Sequence, residues 1–151
     1  MSSPDEPMID RKPLIAIVDR ATRLLIADML RAGHERGHTQ IRMAHNPVFA
    51  TLPSEGARTS DMAARAGITK QSMGEAVRDM VELGLLEMTE DPADRRAKLV
   101  TFTDAGLEVA HDGKRHMYAL EQVWKDKFGA EEYETAREVL EGIVEMMTTE
   151  D

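Results

Sequence analysis

Apolar side chains recur every three or four residues near the start of the chain. Leu14, Ile17, Val18, Ala21, Leu24, Leu25 and Met29 fall on one face, with Asp28 the single polar intruder. That period predicts a helix. Pro13 suits its first turn, where a missing N–H costs nothing, and Gly33, followed by Gly37, is the expected stop. A second helix is expected over residues 39–50, closed by the turn residues Pro53, Ser54, Glu55 and Gly56.

Two short helices follow. "TSDMAARAG" (59–67) offers Thr59 and Ser60 as caps, apolar Met62, Ala63 and Ala66, and a Gly67 stop. "TKQSMGEAVRDMVELG" (69–84) has Thr69 as N-cap and Gly84 as stop. Its apolar set, Met73, Val77, Met80 and Val81, lies on one helical face. Lys70, Gln71, Gly74, Glu75, Arg78 and Glu82 lie on the other. The period then shortens to two. "LLEMTE" (85–90) and "KLVTFT" (98–103) read as strands around the polar turn "DPADRRA" (91–97). This predicts a hairpin with a long, charged tip. A long helix is expected from Asp104 to Phe128, with a stripe of Gly106, Ala110, Gly113, Met117, Leu120 and Trp124. A last helix repeats the rhythm in Tyr133, Ala136, Leu140, Ile143 and Met147.

Composition narrows the class. With 151 residues, one domain, or one domain with helical extensions, is expected. No apolar run nears the roughly 20 residues a membrane span needs. The polar, acidic start "MSSPDEPMID" is unlike a secretory signal and predicts a disordered tail. There is no cysteine, which removes disulfides, thiolate metal sites and thiol switches and fits a cytoplasmic protein. Eleven methionines and six aromatics predict a core filled largely by flexible side chains.

The net charge of -9 argues at first against a nucleic-acid partner. Its distribution removes the objection. Residues 1–10 hold three acids and no base, and residues 129–151 hold eight acids and one base. The remaining 118 residues hold 18 bases and 17 acids, net +1. Binding needs a local basic face, not a basic protein.

Two short helices, a glycine turn and a charged hairpin form a winged helix-turn-helix pattern. Small Ala63 lets the helices approach, and Met73 and Val77 anchor the second one inward. Thr69, Lys70, Gln71, Ser72, Glu75 and Arg78 are left outward, as a major-groove reader requires. At the hairpin tip, Arg95 and Arg96, with Lys98 beside them, suit the negative potential of a minor groove. Asp94 is expected to orient Arg95 and leave Arg96 free.

The stretch "RTSDMAARAGITKQSMGEAVRDMVELGLLEMTEDPADRRAKLVTFTDAG" resembles the core of the MarR family of transcriptional regulators. "DPADRRAKLVTFTDAG" is similar to that family's wing and its junction with the next helix. The resemblance implies a mainly α fold: a winged helix-turn-helix between N- and C-terminal helices that interlock in a homodimer. Leu14, Ile17 and Val18 would serve the interface at one end. Trp124, Phe128, Leu140, Ile143, Val144 and Met147 would serve it at the other. It also implies reading of a palindromic DNA operator, with half-sites about 34–36 Å apart. Base contacts would fall to Thr69, Lys70, Gln71, Ser72 and Arg78, with Arg96 in the minor groove. Glu75 would either select cytosine or pair with Arg78. A small-molecule effector would shift the dimer between two shapes. His34, His38, Arg42, His45 and Asn46 are the candidates to line its site.

"HERGH" (34–38) is the rival signal, since it matches the H-E-x-x-H of zinc hydrolases. That chemistry needs an unbroken helix and a third ligand. Gly33 and Gly37 stand against the helix, and no partner motif supplies the ligand. A metal- or pH-responsive regulator using His34 and His38, or a non-specific DNA-architectural protein of the same fold, remain the alternatives to a ligand-responsive repressor. No catalytic residue, metal or cofactor is expected. The domain reading is 1–12 tail, 13–57 N-terminal helices, 58–103 winged helix-turn-helix and 104–151 C-terminal helices.

Overall fold

The computed structural model describes residues 11–148. Most of the expected acidic tail, and residues 149–151, lie outside them. In order the elements are α1 (Leu14–Glu35), α2 (Asn46–Thr51), α3 (Thr59–Ala66), α4 (Lys70–Glu82), β1 (Leu86–Asp91), β2 (Asp94–Phe102), α5 (Asp104–Phe128) and α6 (Ala130–Thr148). The described residues form two compact units, divided between Ala110 and His111 inside α5.

The first unit is built around Met62, Met73 and Met80, all fully buried, with Val48, Val77 and Val100. Unbranched thioether chains fill the space between α3, α4 and the hairpin without demanding one rotamer. Ala63 and Ala76 are also buried, so the two short helices pack closely. Gly67 takes a left-handed φ of 64° and turns the chain between them. The α2 and β2 segments meet through Phe49 and Phe102, whose rings stack 5.9 Å apart.

At the hairpin, β1 and β2 pair antiparallel from Leu86↔Phe102 to Glu90↔Lys98. Ala57 adds a third, single-residue rung by exchanging both backbone hydrogen bonds with Val100 at 3.0 and 2.9 Å. Behind it, the Thr103 hydroxyl donates to the Gly84 carbonyl at 2.6 Å and accepts from the Gly106 N–H at 3.1 Å. A Cβ on Gly106 would sit 1.9 Å from the Leu85 oxygen, so only glycine fits where α5 leaves the wing.

Several boundaries differ from expectation. The first helix does not stop at Gly33 but runs through it to Glu35; Gly37, with φ of 98°, ends the turn beyond. The second helix is shorter than 39–50. A 3-10 turn at Met43–His45 leads into α2, because Pro47 favours the first helical turn and cannot sit inside a longer helix. Arg58, rather than Thr59 or Ser60, is the N-cap of α3. The hairpin tip is also short. Asp91 pairs with Asp94, so Pro92 and Ala93 make the turn and Arg95 and Arg96 lie on β2. The register breaks between Glu90 and Asp91, so Arg95, Arg96 and Ala97 on β2 face no partner residue on β1.

In the second unit, the corner between α5 and α6 is held by Lys125. Its Nζ lies 2.6 Å from Glu134 Oε1 and 5.2 Å above the Tyr133 ring. Trp124 and Tyr133 pack with ring centres 6.4 Å apart.

Candidate nucleic-acid interface

The outward face of α4 starts at its cap. Thr69 Oγ1 accepts from the Ser72 N–H at 3.1 Å and lies 2.9 Å from Ser72 Oγ, to which its own proton points. Ser72 thus accepts from Thr69 and keeps its hydroxyl proton for another acceptor. The uncapped N–H groups of this first turn carry the positive end of the helix dipole, which favours phosphate. Lys70, Gln71, Glu75 and Arg78 are exposed along the same face. Gly74, between them, has no side chain to fill, and the Arg78 guanidinium folds back to 3.3 Å from where a Cβ would be.

With Thr59 and Met88, residues Lys70, Gln71, Gly74 and Arg78 line an open groove of about 440 Å³ between α4 and the hairpin. Two cations on a concave surface between a helix and a wing suit a phosphate backbone. Of the two roles open to Glu75, pairing with Arg78 is not what forms. Gln71 Nε2 donates to Glu75 Oε1 at 3.3 Å instead.

Asp94 also acts differently from expectation. Its Oδ1 accepts from the Arg96 backbone N–H at 3.0 Å, bending the chain rather than holding the Arg95 guanidinium. Arg95, Arg96 and Lys98 are all exposed on β2, and Lys98 stands opposite Glu90. The residue that ties the wing down is Asp91, an acid that looks out of place in a DNA-facing loop and whose role local sequence does not reveal. Its two oxygens accept from the Ala93 N–H at 2.9 Å and from Arg58 Nε at 2.6 Å. Those bonds, the Ala93 amide first and the Arg58 guanidinium second, hold the Asp91 carboxyl below the usual carboxylate range.

The five residues considered for an effector site divide. Arg42 and His45 converge on Asp79, in the inner half of α4, and both bond its Oδ2. His45 is fully buried. The Arg42 backbone N–H donates to its Nδ1 at 3.1 Å, which leaves Nε2 to carry the proton given to Asp79. His45 first, then Arg42, lowers the Asp79 carboxyl from its ordinary value. Asn46 opens α2. His34 lies in the last turn of α1 and its Nε2 donates to the Ile41 carbonyl at 2.9 Å, while His38 lies beyond Gly37. Among the described residues, no three His, Cys, Asp or Glu side chains gather as a metal site would require. No described helix is long and apolar enough to cross a membrane.

The residues assigned to a dimer interface are largely uncovered. In the first unit, Leu14 and Ile17 are each 53% exposed and Val18 is 39% exposed. In the second, Phe128, Leu140, Val144 and Met147 are exposed, and Trp124 and Ile143 half-buried.

Residues 48–97, which carry α3, the turn, α4 and most of the hairpin, match a protein-family model described as MarR family. Over those 50 of its 151 residues the chain is similar to the MarR family. No curated protein sequence matches it. Solved structures agree on the fold. The transcriptional regulator SlyA superposes with a TM-score of 0.74 at 14% identity, covering 91% of this chain and 96% of that one. CouR of Rhodococcus jostii RHA1, bound to p-coumaroyl-CoA, gives 0.70 at 22% identity, over 92% and 95%. The PcaV regulator of Streptomyces coelicolor, in complex with its natural ligand, gives 0.66 at 21%, over 96% and 98%. At these identities the likeness shows a shared fold.

Proposed function

We propose that this protein is a MarR-type, sequence-specific DNA-binding repressor that works as a homodimer on a palindromic operator and is released by a small-molecule effector. The observation that carries this reading is the outward row of α4. Thr69, Lys70, Gln71, Ser72 and Arg78 are exposed beside a wing that presents Arg96. Such a helix reads base edges in the major groove while the wing arginine enters the adjacent minor groove. CouR, one of the similar folds, has been solved bound to a 23-mer DNA duplex.

Homodimerisation is supported by apolar side chains on α1 and α6 that water meets in the single chain. Burying such side chains against a second copy contributes roughly 1.5–3 kcal/mol each. Two copies related by a two-fold axis would place two α4 helices on one side of the duplex. Effector control is supported by relatives solved with p-coumaroyl-CoA and with a natural ligand. A ligand near Arg42 would reach α4 through Asp79, which Arg42 and His45 hold. Action on chromosomal DNA would place the protein in the cytoplasm.

Sedimentation of the purified protein, alone and with a duplex from upstream of its own gene, tests the assembly. The expected result is a two-chain particle that binds one duplex. A single-chain particle on DNA would contradict the dimeric reading.

A further inference from the structure

Glu75 is an acid on a DNA-reading face, where it repels phosphate, and the sequence offers it two roles, selecting cytosine or pairing with Arg78. Its observed partner points to a third. Gln71 and Glu75 are one helical turn apart on the exposed face of α4, and Gln71 Nε2 lies 3.3 Å from Glu75 Oε1. An ionised carboxylate only accepts hydrogen bonds. The Gln71 amide must therefore turn its nitrogen towards Glu75 and its oxygen away. Arg78, the competing partner, instead folds back over Gly74.

We infer that Glu75 is a specificity-determining positioning residue: it fixes the orientation of the Gln71 amide, so that Gln71 accepts adenine and rejects guanine. This rests on the DNA-binding reading proposed above. In the major groove, adenine offers an N6 donor and an N7 acceptor, whereas guanine offers two acceptors, O6 and N7. The locked amide satisfies adenine fully. Its oxygen accepts from N6, and its second N–H, the one not given to Glu75, donates to N7. Against guanine the same oxygen meets O6, and two acceptors face each other. A free glutamine could rotate and donate to guanine. Glu75 removes that rotation. The cost is a negative charge near phosphate, which lowers affinity for every sequence.

This trade separates the inference from a structural role. Selection from a random-sequence duplex library identifies the preferred site of the wild type. Fluorescence anisotropy then compares duplexes that differ at the one base pair whose preference disappears in Gln71→Ala. The wild type is expected to favour adenine over guanine there by on the order of tenfold to a hundredfold. In Glu75→Gln, the new amide can present either end to Gln71. Discrimination should fall about tenfold, mostly through tighter binding of the guanine duplex, while binding to random duplex strengthens. Glu75→Asp keeps the charge but withdraws the carboxylate by one carbon. It should relax discrimination without strengthening random binding. Unchanged discrimination in both variants, or a wild-type preference for guanine at that position, would overturn the inference alone. Failure of the wild type to enrich any sequence would overturn the DNA-binding reading with it.

Discussion

Arg58 holds Asp91 across 33 residues of chain, with Nε 2.6 Å from Oδ2, and so fastens the wing to the start of α3. Asp91 simultaneously caps the tip through the Ala93 N–H. The wing is thus anchored at its outer end by a side-chain pair and at its base by the Ala57–Val100 rung. A groove reader needs such an anchor, because contacts that are not prearranged must be ordered on binding.

Arg58→Ala should therefore weaken DNA binding although Arg58 need not touch DNA. The expected loss is roughly five- to tenfold, comparable to losing one oriented contact. It should be smaller in an Arg96→Ala background, where the wing no longer reaches its target. A double-mutant cycle by anisotropy reads this coupling; strictly additive losses would show that Arg58 does not act through the wing.

Acid should loosen the same unit. Asp79 and Asp91 both titrate below their ordinary range, Asp79 through His45 and Arg42, Asp91 through Ala93 and Arg58. A folded-state value below the unfolded one stabilises the fold above the unfolded value of about 4. The contribution is lost as pH falls through the folded value. Asp79→Asn and Asp91→Asn should each be less stable than wild type to urea at pH 7, and the difference should vanish near pH 2. A difference that persists in acid would assign it to packing rather than to charge.

Gly106→Ala should destabilise the first unit more than a typical helix glycine substitution. The added Cβ would meet the Leu85 oxygen at 1.9 Å and the Leu85 carbonyl carbon at 2.9 Å, both backbone atoms that cannot swing aside. Overpacking of this kind costs about 1–3 kcal/mol or more. Urea titration measures it; an unchanged or raised midpoint would contradict the close approach.

The parts legible in the sequence were those that local chemistry determines. Thr69 announces a cap and Gly67 a left-handed turn, and both do what their residue types favour. Met73 and Val77 fall inward by period alone. What stayed hidden depends on contacts distant in sequence or on a break in period. Nothing near Asp79 in the chain marks it as the partner of Arg42, 37 residues earlier. Alternation cannot reveal a bulge, so the loop at 91–97 looked longer than it is, and Asp94 was assigned a guanidinium in place of the Arg96 amide. Periodicity did find the half-buried stripe of α5. On α6 it could not separate Tyr133, packed on Trp124, from Leu140 and Met147, which face water.

Those exposed residues lead to a further test. Leu140→Glu and Val144→Glu should leave the winged unit folded but convert a two-chain particle to single chains, since each places a charge where an apolar face would be buried. Operator affinity should fall at least tenfold, because two half-sites would no longer be engaged as one. Sedimentation that still shows paired chains would move the interface elsewhere.

The most direct measurement is anisotropy of a labelled duplex from upstream of the protein's own gene against a scrambled duplex at matched salt, with wild type, Arg96→Ala and Gln71→Ala. Wild type is expected to prefer the upstream duplex by at least a hundredfold. Arg96→Ala should lower affinity generally, and Gln71→Ala should narrow the preference. Equal binding of both duplexes by all three proteins would contradict sequence-specific recognition by α4 and the wing.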